Sequence, residues 1–330
     1  MDLQAIIQTS KLFNTQELHI ELSSKCTLKC PRCPRTELDP DSLNQEFSLE
    51  DFKRAFNLNI LGDLKFVLFC GDIGDPIYAK DLIPIVRYLK ENSKANIKIV
   101  TNGSYKSATW WGELGSWLSI HDAVVFSVDG YDQESNNLYR VNSDWNSIVK
   151  GIKSLRFSSD CRIIWSSIYF NFNEDRMQEI RDIACELGCD EWQGVASSKF
   201  DGRYLVNGID PLKPIREMNI ASGAVYDKRN IVFNSPKPLN IVYHVDRHEW
   251  AKCLNWKKEM FIAVDGTVMP CPWFNSGYQD NDFVKKYRSR LNVKQRPLET
   301  ILKDPMWEEF ITRLETMPLP VCRIKCRDCK

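Results

Sequence analysis

The sequence predicts an α/β protein in which repeated βαβ units build a parallel sheet, followed by a small cysteine-rich unit. Three observations predict it. Short apolar runs alternate with amphipathic segments about six times between residues 17 and 196. The 330 residues are 43% hydrophobic and 27% charged, as a chain with a sizeable buried core requires. Five of the twelve cysteines fall in the last 81 residues, beyond the repeating pattern.

The strand candidates are Glu17–Leu22, Leu64–Phe69, Asn96–Val100, Asp122–Val128, Arg162–Phe170 and a weaker Glu191–Val195. They are rich in Val, Ile and Phe, as strands covered on both faces are. Helical spacing fills the gaps. One helix starts at Ser48 with acids in its first turn, and others follow Tyr78, Lys106 and Asp144. A fifth runs from Glu174 to a stop at Gly188. Periodicity alone leaves open whether the sheet closes. Residues 201–249 read as a linker carrying Gly, Asn and Pro, and 250–330 as the second unit, with a strand at Met260–Val264, a turn at Asp265–Gly266 and a helix near Asp304–Met317.

Lys plus Arg and Asp plus Glu are both 44, so the formal charge is zero and a nucleic-acid partner held by bulk electrostatics is disfavoured. No run of eighteen apolar residues suggests a membrane span. The first sixteen residues lack the features of a secretory signal. A cytoplasmic chain with reduced cysteines is therefore expected, its clustered cysteines being metal ligands.

Cys26, Cys30 and Cys33 form C-x3-C-x2-C directly after the first strand, and the next 36 residues hold neither Cys nor His. Three thiolates can hold three corners of a [4Fe–4S] cubane and leave the fourth iron open. An open position suits chemistry, whereas a structural zinc site would want a fourth ligand. This arrangement resembles the radical S-adenosylmethionine (SAM) enzymes. The resemblance implies a partial (βα)6 TIM-like barrel at residues 17–200, after an N-terminal extension of 1–16. It also implies SAM chelated to the open iron, reductive cleavage to a 5′-deoxyadenosyl radical, and hydrogen abstraction from a substrate.

Further stretches are similar to motifs of that family. Gly74-Asp75-Pro76 follows the second strand, where the family has a turn that meets the SAM amino group; here Asp stands for the usual Glu. Thr101-Asn102-Gly103 follows the third strand. Ser127 and Asp129 follow the fourth, with Arg140 beyond, and the resemblance implies that Ser127 contacts SAM and Arg140 its carboxylate. Asn173, after the fifth strand, matches a ligand-side Asn. Arg32 stands where an aromatic residue often packs on adenine, so its guanidinium plane is expected to stack instead.

In the tail, Cys253-x12-Gly266-x4-Cys271 resembles the opening of the SPASM and twitch extensions, which carry auxiliary clusters. The resemblance implies one auxiliary [4Fe–4S] cluster, closed by Cys326 and Cys329, with Cys322 able to replace one of them. By spacing alone, a zinc ribbon on four of these five thiolates is the favoured reading. Cys70, Cys161, Cys185 and Cys189 read as core, as do His19 and the Trp110-Trp111 pair.

The functional expectation is a radical SAM oxidoreductase of dehydrogenase type, served by a flavodoxin- or ferredoxin-type electron donor. Only about sixteen residues precede the first strand, too few for a leader-binding domain, which favours a small sugar- or nucleotide-like substrate over a peptide. Peptide maturation, electron transfer alone, and a cytosolic zinc-binding interaction protein are the alternatives.

Overall fold

A computed structural model of the chain describes residues 15–38, 43–197, 200, 202–216, 222–224, 259–275 and 282–316. Six parallel strands form its centre: β1 (Glu17–Ile20), β2 (Phe66–Phe69), β3 (Asn96–Thr101), β4 (Ala123–Ser127), β5 (Arg162–Ile168) and β6 (Glu191–Val195). They pair in sequence order, and β7 (Ser222–Ala224) adds antiparallel to β6. On the other side β8 (Glu259–Ile262) lies parallel to β1, with Glu17 opposite Glu259, and β9 (Val268–Met269) returns antiparallel to β8. The order β7-β6-β5-β4-β3-β2-β1-β8-β9 has two ends, so the sheet is unclosed. The strand expected in the tail thus extends the main sheet beside β1.

The helices are α1 (Leu49–Ala55), α2 (Leu58–Asp63), α3 (Leu82–Asn92), α4 (Ala108–Gly115), α5 (Gln133–Asn137), α6 (Trp145–Ser158), α7 (Met177–Glu186), α8 (Asp282–Tyr287), α9 (Leu298–Leu302) and α10 (Met306–Thr316). Side chains that start them are those the sequence offers. Ser48 and Asp51 form a reciprocal capping box on α1, Ser107 accepts from the Trp110 amide, and Asp144 accepts from the Ser147 amide. Each such cap contributes about 1 kcal/mol. Gly188, with φ at +87°, ends the α7 segment in the left-handed region that a side chain disfavours. Four short helices, α2, α5, α8 and α9, escape a periodicity reading because none completes two turns.

The strands alternate two faces. Leu18, Ile20, Val67, Phe69, Ile97, Ile99, Val124 and Phe126 are buried in one core with Val86, Leu89, Trp111, Leu114, Ile152 and Leu155 of the helices. The opposite face carries His19, Leu68, Lys98, Ala123 and Arg162 in successive register. A slip of one residue would exchange these two sets, so the apolar parity fixes which side chains face inward. Cys161 and Cys189 are core, and Trp111 packs on Phe126 with ring centroids 5.1 Å apart. No helix among the described residues is long and apolar enough to cross a membrane.

Candidate active site

The loop carrying Cys26, Cys30 and Cys33 leaves β1 after Glu21 and Leu22. It is pinned at several points. The Lys29 amide donates to the Val141 carbonyl at 2.9 Å, Asn142 Nδ2 to the Thr27 carbonyl at 2.7 Å, and the Asp75 amide to the Lys25 carbonyl at 2.9 Å. All three thiols are half-buried. Burial, then the Asp75 charge, pushes the Cys26 thiol up to about 12. Asn102 Nδ2 lies 3.6 Å from Cys26 Sγ and donates to it. Among the described residues, no three potential ligands sit close enough to share one metal ion. Three half-buried thiols on one short loop are the donor set that three irons of a cubane take.

The turn after β2 packs hard against this loop. A Cβ on Gly74 would stand 1.8 Å from the Ser23 carbonyl oxygen, so only glycine fits there. Pro76 is buried and begins a 3-10 turn, Pro76–Tyr78. The Asp75 carboxylate is engaged within the protein. Its Oδ1 accepts from Thr101 Oγ1 at 2.8 Å and the Ile77 amide at 3.1 Å; its Oδ2 accepts from the Asn102 amide at 2.7 Å and Asn102 Nδ2 at 2.6 Å. Burial raises the Asp75 carboxyl above the ordinary range, and these donors offset part of the rise. Asp75, Thr101 and Asn102 therefore form a brace that ties the second and third strand ends to Cys26.

A second brace joins the ends of β4 and β5. Arg140 Nε donates to Asp129 Oδ2 at 2.6 Å, and the Ile168 amide donates to Asp129 Oδ1 at 2.7 Å. Burial opposes the Arg140 charge, but Asp129 and then Cys30 outweigh it and raise its pKa. Asn173 is fully buried, with Nδ2 donating to the Asp129 and Ile168 carbonyls at 2.7 and 2.9 Å and Oδ1 accepting from the Phe170 amide. Its amide is thus occupied by backbone. Ser127 is half-buried at the end of β4, and no described group engages its hydroxyl.

Arg32 is almost fully buried. Its guanidinium pairs with Asp210 and lies 4.9 Å from the Phe200 ring centroid and 4.8 Å from that of Tyr204. The side chain is therefore engaged by the segment read as a linker, and residues 202–216 seat against the cysteine loop. Glu174 holds the same segment by accepting from the Ile215 and Arg216 amides.

Sequence reasoning missed Glu21, whose Oε1 accepts from the amides of Asp72, Ile73 and Gly74 at 2.8, 2.7 and 3.1 Å. The available signal was a second acid, at the inward parity of His19, in the run Glu17–Leu22. It also missed the inner face of the sheet. Ser127, Ser166 and Gln193 share one register row on β4, β5 and β6. Below them Arg162 pairs with Glu191, Gln193 Nε2 donates to Glu191 at 2.7 Å, and Lys98 stands across Ala123 from Arg162. All six are half-buried. Burial lowers the Lys98 pKa, and Glu191 opposes the shift.

In the tail, the Asp265–Gly266 turn joins β8 to β9, and half-buried Cys271 follows. Asn275 Nδ2 donates to Asp72 at 3.2 Å, linking this segment to the turn after β2. Cys253, Cys322, Cys326 and Cys329 lie outside the described residues.

Residues 253–330 match the SPASM family of iron–sulfur cluster-binding domains. No curated protein sequence matches the chain. Among solved structures the chain is similar to Streptococcus suis SuiB, with 16% identity, a TM-score of 0.60, and coverage of 94% of this chain and 71% of that one. SuiB has been seen bound to S-adenosylmethionine and to the precursor peptide SuiA. The chain is also similar to anSMEcpe with bound AdoMet, with 14% identity, a TM-score of 0.55, and coverage of 89% and 82%. At these identities the likeness is one of fold: an unclosed parallel α/β sheet of the kind on which those proteins bind SAM.

Proposed function

We propose, for a chain that joins the radical SAM fold to a SPASM-type iron–sulfur domain, that it oxidises a small polar substrate by radical SAM chemistry. The observation that carries this reading is the three-cysteine loop, placed after β1 and packed on the Gly74 turn. When bound, the cluster and SAM supply an electron and a hydrogen-abstracting 5′-deoxyadenosyl radical.

The chain's own residues have these proposed roles. Cys26, Cys30 and Cys33 hold three irons. The backbone of the Gly74–Pro76 turn faces the SAM amino group. The Ser127 hydroxyl and the guanidinium nitrogens of Arg140 that do not hold Asp129 take the remaining SAM contacts. Asp75, Thr101, Asn102, Asp129 and Asn173 act behind them as braces. Cys253 and Cys271, with a further pair from Cys322, Cys326 and Cys329, hold the auxiliary cluster. Such a cluster suits removal of an electron from a substrate radical, as dehydrogenation requires, and a flavodoxin- or ferredoxin-type protein is the proposed reductant.

The polar inner face supports a small substrate rich in hydroxyl or charged groups. Ser127, Ser166 and Gln193 offer hydrogen bonds, and Lys98 adds a cation. A peptide substrate is the second reading, favoured by the peptides bound to SuiB and anSMEcpe. Dithionite-reduced, cluster-loaded protein should convert SAM to 5′-deoxyadenosine, and C30A should not, while keeping the iron of the tail. Cleavage that persists in C30A contradicts the assignment. Ultrafiltered cell extract that accelerates cleavage supports a small substrate; activity confined to the retained fraction supports a peptide.

A further inference from the structure

Glu21 stands one residue beyond β1, on the inward parity of His19, and is fully buried. One of its oxygens, Oε1, gathers three successive amides, those of Asp72, Ile73 and Gly74. Consecutive amides converging on one point form a concavity that usually receives an anion. Here the chain itself fills the concavity with a carboxyl, which burial, opposed by the Ile73 amide, raises from the usual carboxylate range to about 7. In a trans peptide unit the carbonyl points opposite to the N–H of the next residue. Amides of residues 72–74 turned toward Glu21 therefore turn the carbonyls of Gly71, Asp72 and Ile73 away from it.

The second oxygen, Oε2, is buried without a hydrogen-bond partner. An unsatisfied buried acceptor costs on the order of 1–3 kcal/mol, so its retention needs a reason. A cationic ligand above the turn supplies one. Outward carbonyls and a carboxylate beneath them both stabilise an ammonium group. The turn itself cannot relax toward the cysteine loop, because Gly74 already abuts the Ser23 carbonyl.

We propose that Glu21 is a positioning residue for SAM. It holds the 71–74 turn with its carbonyls outward and places behind the ammonium site a carboxyl whose ionised form the ammonium favours. This rests on the reading of the cysteine loop as a SAM site.

The test uses anaerobically reconstituted full-length protein as wild type, E21Q and E21A. Iron content, binding of radiolabelled SAM by equilibrium dialysis, and backbone hydrogen exchange at residues 72–74 are measured. E21A should keep its iron, exchange faster at 72–74 even without SAM, and bind SAM about tenfold more weakly. E21Q, which keeps an acceptor but loses the charge, should lie between. E21A with wild-type SAM affinity overturns the inference, as does weakened binding without faster exchange at 72–74. Should E21A fail to fold, E21Q decides: an affinity several-fold below wild type supports the inference, and an unchanged one overturns it. Cluster-loaded wild type that binds no SAM overturns the site reading and the inference together; SAM binding shared equally by wild type and the variants overturns the inference alone.

Discussion

Arg140 Nε donates to Asp129 Oδ2 at 2.6 Å, and the receiving carboxylate is closed to solvent. The other groups of Asp129 are also engaged: its amide donates to Asn136 Oδ1 at 2.9 Å, and its carbonyl accepts from Asn173 Nδ2 at 2.7 Å. The aspartate is thus a fixed post, and the guanidinium is aimed by it.

Replacing the post should leave a mostly buried cation without its partner. D129N is expected to lower unfolding stability by about 3 kcal/mol. R140K, which keeps the charge but loses the planar fork, should fold with a smaller loss and bind SAM more weakly. Urea unfolding and equilibrium dialysis with labelled SAM check the two halves.

Asp75 illustrates how much of the site is legible in the sequence. The turn after the second strand is readable from Gly-Asp-Pro, and its Asp75 amide donates to the Lys25 carbonyl of the cysteine loop. The role of its carboxylate is not readable. Donors from Thr101 and Asn102 reach it across 26 and 27 residues, and nothing local in the sequence reports them. D75N would set an amide against the Asn102 donors and should destabilise the protein by about 1–3 kcal/mol in the same unfolding assay. N102A should weaken this brace and remove the donor to Cys26 Sγ.

The fold was legible for related reasons. Five of the six central strands announce themselves by apolar runs and the sixth, Glu191–Val195, more weakly, while α1, α4 and α6 are marked by Ser48, Ser107 and Asp144 at their starts. Contacts between remote positions were not. Arg32 and Asp210 are 178 residues apart, so their pairing, and with it the seating of residues 202–216, carries no spacing signal.

That pair is itself open to test. Both side chains are buried, so removing one partner takes a buried ion pair from the other. D210A should lower stability by about 3 kcal/mol and speed hydrogen exchange across 202–216. The double variant R32L/D210A should recover part of the loss, giving a non-zero coupling in the double-mutant cycle.

His19 makes a prediction about acid. Its Nε2 is 2.9 Å from the Cys70 carbonyl and its ring packs edge-on to Phe261. Burial, opposed by that carbonyl, lowers its pKa from 6.5 to about 4. Between these values the unfolded chain binds more protons than the folded one, so stability falls as pH drops from about 6.5 to about 4. The full effect is about 3 kcal/mol, from 1.36 kcal/mol per pKa unit. H19Q should lose less stability than wild type over this acid range in urea unfolding at a series of pH values. Parallel pH profiles would contradict the burial argument.

The central claim is that Cys26, Cys30 and Cys33 leave one iron for SAM. The direct measurement is pulsed electron paramagnetic resonance on reduced, cluster-loaded protein with SAM labelled by oxygen-17 in its carboxylate. Hyperfine coupling between that oxygen and the cluster, absent when all three cysteines are replaced by alanine, is the predicted result. Fully loaded wild-type protein with saturating SAM and no such coupling would contradict it.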